Sequence, residues 1–199
     1  MSYKIVTISR EYGSGGREIG KKLAEKLGFE FYDNALVDQI AKESGFAEEI
    51  IKDAGEYASS GNSFLFSLSM GNLSEVNIPS ISSQIYLVQQ RIINELAEKG
   101  NCVIVGRCAD YILRNRSDVL NVFVHADMNF RKERIVSVYG EGGAKPEKLL
   151  KDKDKKRKTY YRYYTDSEWG VVQNYHLSLE SSLFGIDKCV DIIANVVKE

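Results

Sequence analysis

The sequence predicts an α/β fold with three layers, in which helices cover both faces of a parallel sheet. Short apolar segments rich in β-branched residues alternate along the chain with segments whose apolar residues recur at helical spacing. The short segments are apolar on both faces, as expected for strands buried between two layers of helices. The length of 199 residues, with 43% hydrophobic and 28% charged residues, suits a single domain over residues 1–199.

The apolar segments predict a sheet of about five strands. These strands are expected at residues 4–8, 29–32, 102–105, 119–124 and 175–179. Helical spacing of apolar residues is found over the segments 19–27, 36–40, 81–96 and 186–197. Gly28 and Gly100 follow two of these helical segments, and glycine is the residue that most often ends a helix.

Residues 53–82 have a different composition, because glycines and serines surround a few bulky apolar residues such as Phe64 and Phe66. A flexible linker and a mobile subdomain both fit this composition. The bulky apolar residues favour a segment that packs for at least part of the time.

Composition also excludes several classes of protein. A net charge of −1 does not suit a protein whose whole surface binds nucleic acid. No apolar segment approaches the roughly 20 residues that cross a membrane, and no secretory signal is recognisable. Three cysteines without metal-binding spacing suit a reducing compartment: Cys102, Cys108 and Cys189. We therefore expect a cytoplasmic protein that binds neither nucleic acid nor membrane, and that can form a homo-oligomer.

Ligands of parallel α/β sheets bind beyond the carboxyl ends of the strands. In this sequence the rule selects the loop after Ile8, the region of Asp33, and the pair Gly106-Arg107. All three are expected to face one crevice.

The loop Ser9–Gly16 lies between the first strand and the first helix and contains Gly13, Gly15 and Gly16. Such a loop presents backbone N–H groups to an anion at the positive end of a helix. The phosphate-loop pattern G-x-x-x-x-G-K-[ST] is not met, because Gly16 stands where the lysine belongs. Either Arg10 or Arg17 can replace that lysine, and a plain glycine-rich turn is the simpler alternative.

The segment ISREYGSGGREIG, residues 8–20, resembles the opening of the cytidylate kinase-like proteins, a bacterial group related to P-loop nucleoside-monophosphate kinases. Further resemblances follow in the family's order at residues 27–33, 105–110, 123–134, 154–161 and 174–177. The resemblance implies a P-loop three-layer α/β/α fold with a helical substrate-binding insertion near residues 53–82 and an arginine-bearing lid near residues 130–165. It also implies phosphoryl transfer from ATP, with Mg²⁺, to a nucleoside monophosphate or another small phosphate acceptor.

Roles for individual residues follow from this resemblance. The phosphates of the nucleotide are expected to bind at Gly13, Ser14, Gly15, Gly16, Arg17 and Glu18. The acceptor is expected to bind at Asp33, Arg107 and Asp110. Transition-state charge is expected to be stabilised by three lid arginines, Arg131, Arg134 and Arg157. Candidate carboxylates for the metal are Glu11, Glu18, Asp33 and Asp110.

The sequence also departs from true cytidylate kinases. Their phosphate loop has Lys-Ser/Thr, and their G-R-D is contiguous, whereas Cys108 and Ala109 separate Arg107 from Asp110 here. A nucleotide-binding module or sensor with little kinase activity is therefore a second hypothesis. Structural alternatives exist for single residues too, since Asp33 and Asp110 can cap helices and Arg131 and Arg134 can form a solvated helix face.

Overall fold

The computed structural model describes residues 3–33, 81–141, 143 and 145–198. Its sheet contains five parallel strands in the order β2-β3-β1-β4-β5. The strands are β1 (Ile5–Arg10), β2 (Glu30–Tyr32), β3 (Cys102–Val105), β4 (Val119–His125) and β5 (Leu177–Glu180). The prediction of a parallel α/β sheet of about five strands is confirmed.

Seven α-helices connect or cover these strands within the described ranges. They are α1 (Gly16–Leu27), α2 (Ile81–Lys99), α3 (Ala109–Ile112), α4 (Met128–Ser137), α5 (Pro146–Thr165), α6 (Ser181–Phe184) and α7 (Ile186–Lys198). A short 3₁₀ turn covers Val172–Asn174. None of the helices in these ranges is both long and apolar enough to cross a membrane.

The two faces of the sheet carry separate apolar cores. Ile5 and Ile104 point to one face, where they pack with residues of α2 such as Ile93 and Leu96. Val6 and Ile8 point to the opposite face, where α1 and α7 cover them. Successive residues of a strand point to opposite faces, so strands that are apolar throughout fill both cores.

Two strand ends differ from the prediction. β1 extends two residues beyond Ile8, since Ser9 and Arg10 pair with Phe123 and Val124 of β4. The irregular loop therefore begins at Glu11, and Arg10 belongs to the rigid sheet.

The last strand begins at Leu177, two residues later than predicted. The backbone N–H of His176 donates to the carbonyl of Asn121 at 2.8 Å, and its Nδ1 accepts the Asn121 backbone N–H at 3.1 Å. The His176 side chain thus replaces a strand carbonyl as acceptor, which gives this histidine a structural role.

The predicted lid region, near residues 130–165, contains most of α4 and all of α5. The predicted helix at residues 36–40 lies outside the described residues. So does the predicted insertion, apart from residues 81 and 82, which begin α2.

Candidate functional site

A cavity of about 560 Å³ opens at the carboxyl ends of β1 and β3. The loop after β1 forms one wall, and Gly106 and Arg107 after β3 form another. Asp33 lines the same cavity at the end of β2, so the three places selected from the sequence meet here. Side chains of α5, including Arg157 and Tyr161, complete the lining.

Glycine conformations shape the loop between β1 and α1. Gly13 and Gly15 have φ angles of 81° and 79°, a backbone region that other residues rarely adopt. Gly15 is the N-cap of α1, and no side chain in the described part of the chain hydrogen-bonds there as a cap. The positive end of α1 therefore faces the cavity without a capping side chain, as anion binding requires.

Ser14 is fully buried and does not line the cavity. Its hydroxyl donates to the Glu11 carbonyl at 2.9 Å, and its own carbonyl accepts the Ser181 hydroxyl at 2.5 Å. The Ser14 side chain therefore closes the turn of the loop.

Arg17 and Glu18 follow the glycines on the first turn of α1, and both are ion-paired. Arg17 pairs with Asp33 and so links the loop to the end of β2. Glu18 accepts from Arg134 at 2.8 Å and lies 3.5 Å from Lys22. Arg134 thereby connects α4 to the start of α1.

Arg131 lies behind the loop, with only 5% of its side chain exposed. Its guanidinium pairs with Asp154 of α5 and lies 3.2 Å from Glu11. Its Nε donates to the Tyr12 carbonyl at 2.7 Å, and Asp154 accepts the Tyr12 backbone N–H at 2.8 Å. The peptide groups on both sides of Tyr12 are thus held by side chains of α4 and α5.

Arg157 is the one member of the predicted lid-arginine trio that lines the cavity. Its guanidinium donates to the Arg10 carbonyl at 3.0 Å and lies 3.5 Å from Asp154. Arg131 and Arg134 lie outside the cavity lining, where they hold the loop and the first turn of α1.

The turn after β3 has an unusual backbone. Gly106, Arg107 and Cys108 are consecutive and all have positive φ angles, of 79°, 58° and 56°. For residues other than glycine this conformation is strained, and surrounding contacts must maintain it. Buried Gln89 supplies one such contact, because its side-chain amide donates to the Arg107 carbonyl at 2.6 Å.

Tyr160 completes this support by donating its hydroxyl to the Gln89 amide oxygen at 3.0 Å. Gln89 and Tyr160 were not among the residues predicted for the site. The available signal for Gln89 was a polar residue beside the apolar stripe of α2.

Asp110 is buried beneath the cavity rather than in its lining. Its Oδ2 accepts the Tyr161 hydroxyl at 2.8 Å, whereas Oδ1 has no hydrogen-bond partner among the described residues. Burial raises the pKa of the Asp110 carboxyl, and the hydrogen bond from Tyr161 opposes that shift. Asp110 therefore reaches the cavity through Tyr161.

The described residues hold no group of three or more histidine, cysteine or carboxylate side chains arranged around a metal ion. Mg²⁺ bound with nucleotide phosphates needs only one or two protein carboxylates. Glu11 and Asp33 line the cavity and fit that requirement, although each pairs with an arginine. Glu18 and Asp110 lie outside the lining.

Comparison with known proteins agrees with the resemblance in the sequence. Residues 5–183 match the model of the cytidylate kinase-like family. A cytidylate kinase of Archaeoglobus fulgidus is 28% identical over 199 residues, which cover 97% of this chain and 94% of that protein. A cytidylate kinase of Pyrococcus horikoshii is 28% identical over 160 residues, covering 80% of this chain and 69% of that protein.

Solved structures share the fold. A crystal structure of a protein from Eubacterium ventriosum has a TM-score of 0.71 at 27% identity and covers 97% of both chains. A shikimate kinase from Acinetobacter baumannii has a TM-score of 0.55 at 16% identity, covering 98% of this chain and 93% of that one. The second similarity concerns the fold alone.

Proposed function

The chain belongs to the cytidylate kinase-like family, and we propose that it transfers a phosphoryl group from ATP to a nucleoside monophosphate or another small phosphate acceptor. One observation carries this proposal. Among the described residues, four arginines line a single cavity next to the uncapped end of α1: Arg10, Arg17, Arg107 and Arg157.

The charge of the cavity suits a ligand with several negative charges. Three carboxylates line it in the described part of the chain, and two of them, Glu11 and Asp33, are already paired with arginines. Arginine binds phosphate oxygens through a planar pair of N–H donors, which makes it a strong phosphate ligand. Two phosphate-bearing substrates held in one cavity satisfy the main requirement of phosphoryl transfer, which is positioning with charge neutralisation.

In this proposal the loop after β1 and the turn after β3 bind different substrates. The amides of Gly13–Gly16 and the positive end of α1 bind the donor phosphates. Arg107, held on its strained turn, binds the phosphate of the acceptor. Arg157, which lines the same cavity and donates to the Arg10 carbonyl, stabilises the charge that develops on the transferred group.

The remaining predicted residues act indirectly, by positioning other residues of the site. Arg131 and Arg134 hold the loop and Glu18, so they act as positioning residues. Asp33 orients Arg17 on the acceptor side, and Asp110 orients Tyr161. When bound with ATP, Mg²⁺ supplies charge neutralisation on the phosphate oxygens, with Glu11 and Asp33 as the protein carboxylates placed to hold it.

A panel of acceptors tests the proposal. Purified protein would be incubated with ATP, Mg²⁺ and each of CMP, dCMP, UMP, AMP and GMP, with formation of ADP and nucleoside diphosphate as the readout. We expect turnover with at least one monophosphate, and a loss of about 100-fold or more in kcat/KM for Arg107→Gln. Arg114→Gln is the matched control, because Arg114 is exposed and does not line the cavity.

A nucleotide-binding module without transfer activity is the second candidate. The specific observation in its favour is the glycine at the lysine position of the loop. ATP binding in calorimetry without turnover of any acceptor would support this candidate and contradict the kinase proposal.

A further inference from the structure

We propose that Arg10 supplies the cation that the usual phosphate-loop pattern takes from its lysine. This inference rests on the proposed function, since it assigns a residue to the donor phosphates. The sequence left open whether Arg10 or Arg17 takes that role, and the phosphate site expected from the resemblance included Arg17 but not Arg10. The positions of two glycines, Gly16 and Gly106, distinguish between them.

Gly16 occupies the position of the lysine in the pattern. A Cβ atom built on Gly16 would lie 2.5 Å from Cβ and 3.0 Å from Cγ of Arg10. Real Cβ atoms do not approach other carbons so closely, so a side chain at position 16 cannot coexist with Arg10 in this conformation. The glycine therefore makes room for a cation that comes from the strand before the loop.

Gly106, on the opposite wall of the cavity, shows where the Arg10 side chain ends. A Cβ atom built on Gly106 would lie 2.2 Å from one terminal guanidinium nitrogen of Arg10 and 3.2 Å from its Cζ. The guanidinium thus lies against the Gly106 backbone, between the phosphate loop and the turn that carries Arg107. Two glycines, one at the start of α1 and one in the turn after β3, thus make space for one arginine side chain.

The backbone of Arg10 is also held firmly. Arg10 is the last residue of β1 and pairs in register with Val124 of β4. Its carbonyl accepts a hydrogen bond of 3.0 Å from Arg157. A side chain that starts from a paired strand is positioned more precisely than one that starts from a loop.

Arg17 has a different environment. Its guanidinium is paired with Asp33 at the end of β2, and 55% of its side chain is exposed. Both arginines line the cavity, but only Arg10 has its Cβ and Cγ directly beside position 16, where the pattern has its lysine. A guanidinium placed there can donate two parallel hydrogen bonds to phosphate oxygens, whereas a lysine acts as a point charge.

Calorimetric titration with ATP and with adenosine tests this assignment. We expect Arg10→Gln to weaken ATP binding by about 10- to 100-fold, the range for loss of charge-assisted hydrogen bonds. Adenosine binding should change by less than about twofold, because adenosine has no phosphate. Arg10→Lys keeps the charge and should fall between the wild type and Arg10→Gln. Arg114→Gln serves again as the control, and circular dichroism confirms that each variant is folded.

Gly106→Ala tests the path of the side chain separately. In the wild-type background the new methyl group displaces the guanidinium and should weaken ATP binding as Arg10→Gln does. In the Arg10→Gln background the same change should have little further effect on ATP affinity, because the displaced group is already gone. Equal weakening in both backgrounds would mean that backbone strain at the positive φ angle is responsible, and would contradict the assigned path.

The remaining outcomes separate this inference from the proposed function. If the wild type binds ATP and Arg10→Gln binds it equally well, Arg10 is not the phosphate cation, and the proposed kinase function is unaffected. If the wild type binds neither ATP nor ADP, the proposed function fails, and the assignment of Arg10 fails with it.

Discussion

The arginines of this protein illustrate how the surroundings of one residue decide its role. Arg131 and Arg157 belong to the same lid region, yet Arg131 is enclosed by Glu11, Asp154 and the Tyr12 carbonyl, whereas Arg157 lines the cavity. A buried charge needs compensating partners more than an exposed one does. Arg131 therefore holds the loop, whereas Arg157 faces the cavity in which the ligand of the proposed function would bind.

Replacement of Arg131 should show how strongly it holds the loop. Arg131→Met leaves Glu11 without its cation and leaves Asp154, among the described residues, with only the cation of Arg157 at 3.5 Å, so we expect the free energy of unfolding to fall by about 3 kcal/mol. Urea denaturation followed by circular dichroism measures the change. Lys151→Met is the control, because the Lys151–Glu147 pair is exposed and should contribute little to the free energy of unfolding. A loss below about 1 kcal/mol for Arg131→Met would contradict the inference that the buried Arg131 side chain holds the loop.

Asp110 should influence stability in a pH-dependent way. Burial raises its pKa in the folded chain above the ordinary value of 3.8, so the folded state binds the proton more tightly than the unfolded state. The stability of the wild type therefore decreases as pH rises through 3.8 and on through the raised pKa. Asp110→Asn removes the cost of ionising a buried carboxyl group. We therefore expect the variant to gain stability relative to the wild type as the pH rises.

Asp118 provides a control of opposite sign. The pKa of Asp118 is lowered, chiefly by its hydrogen bond with Arg116, so its ion pair stabilises the fold at higher pH and is lost as pH falls through the lowered pKa. Asp118→Asn should thus lose stability relative to the wild type as pH rises. Unfolding free energies measured between about pH 2 and pH 8 test both variants, because the change for Asp118 lies below its ordinary pKa of 3.8 and the change for Asp110 lies above the same value. If the free energy of unfolding of Asp110→Asn differed from that of the wild type by the same amount at every pH, the prediction would be refuted.

Elements whose signals are local were predictable from the sequence. The apolar segments gave the five strands, and the spacing of Ile19 and Leu23 correctly placed Gly20 inside α1 rather than in the phosphate loop. The predictions of the last residue of β1 and of the first residue of β5 were wrong by two residues. Both depend on pairing with residues distant in sequence. For β5 the deciding contact is that between His176 and Asn121, which no local pattern reveals.

Packing of α1 against the sheet depends on the absence of a side chain at Gly20. A Cβ atom there would lie 2.9 Å from Val105 Cγ2 and 3.2 Å from both Ile8 Cδ1 and Phe31 Cε2. Gly20→Ala should improve helix propensity by about 1 kcal/mol, but overpacking costs about 1–3 kcal/mol. We therefore expect a net loss of about 1 kcal/mol in the free energy of unfolding, measured by urea denaturation.

The neighbouring position supplies the comparison for this helix. Lys21→Ala on the exposed side of α1 should change stability by no more than about 0.5 kcal/mol. A stabilising effect of Gly20→Ala would show that the helix can move away from the sheet, and would disprove the close packing inferred here.

At the scale of the whole molecule, the parallel sheet brings the site together. The strand-end rule correctly placed the loop after β1, Asp33 and Gly106-Arg107 around one cavity. It could not show which arginines face that cavity, because the ion pairs that occupy Arg131 and Arg134 join segments far apart in sequence. Nor could it reveal that Gly16 and Gly106 accommodate the same Arg10 side chain, since that relation exists only in the folded chain.

Binding of ATP should stabilise the whole fold, because in the proposed site its phosphates join the loop after β1 to the turn after β3. At a concentration of 100 times Kd, a ligand that binds only the folded state adds about 2.7 kcal/mol. For a chain of this size we expect Tm to rise by about 5–10 °C. Differential scanning calorimetry with ATP and with adenosine at equal concentration measures the effect. In the proposed site the arginines and the positive end of α1 bind phosphate rather than the nucleoside, so adenosine should raise Tm far less. An equal rise with adenosine would show that the nucleoside alone provides the binding energy, and the arginine-lined cavity would then not be the phosphate site.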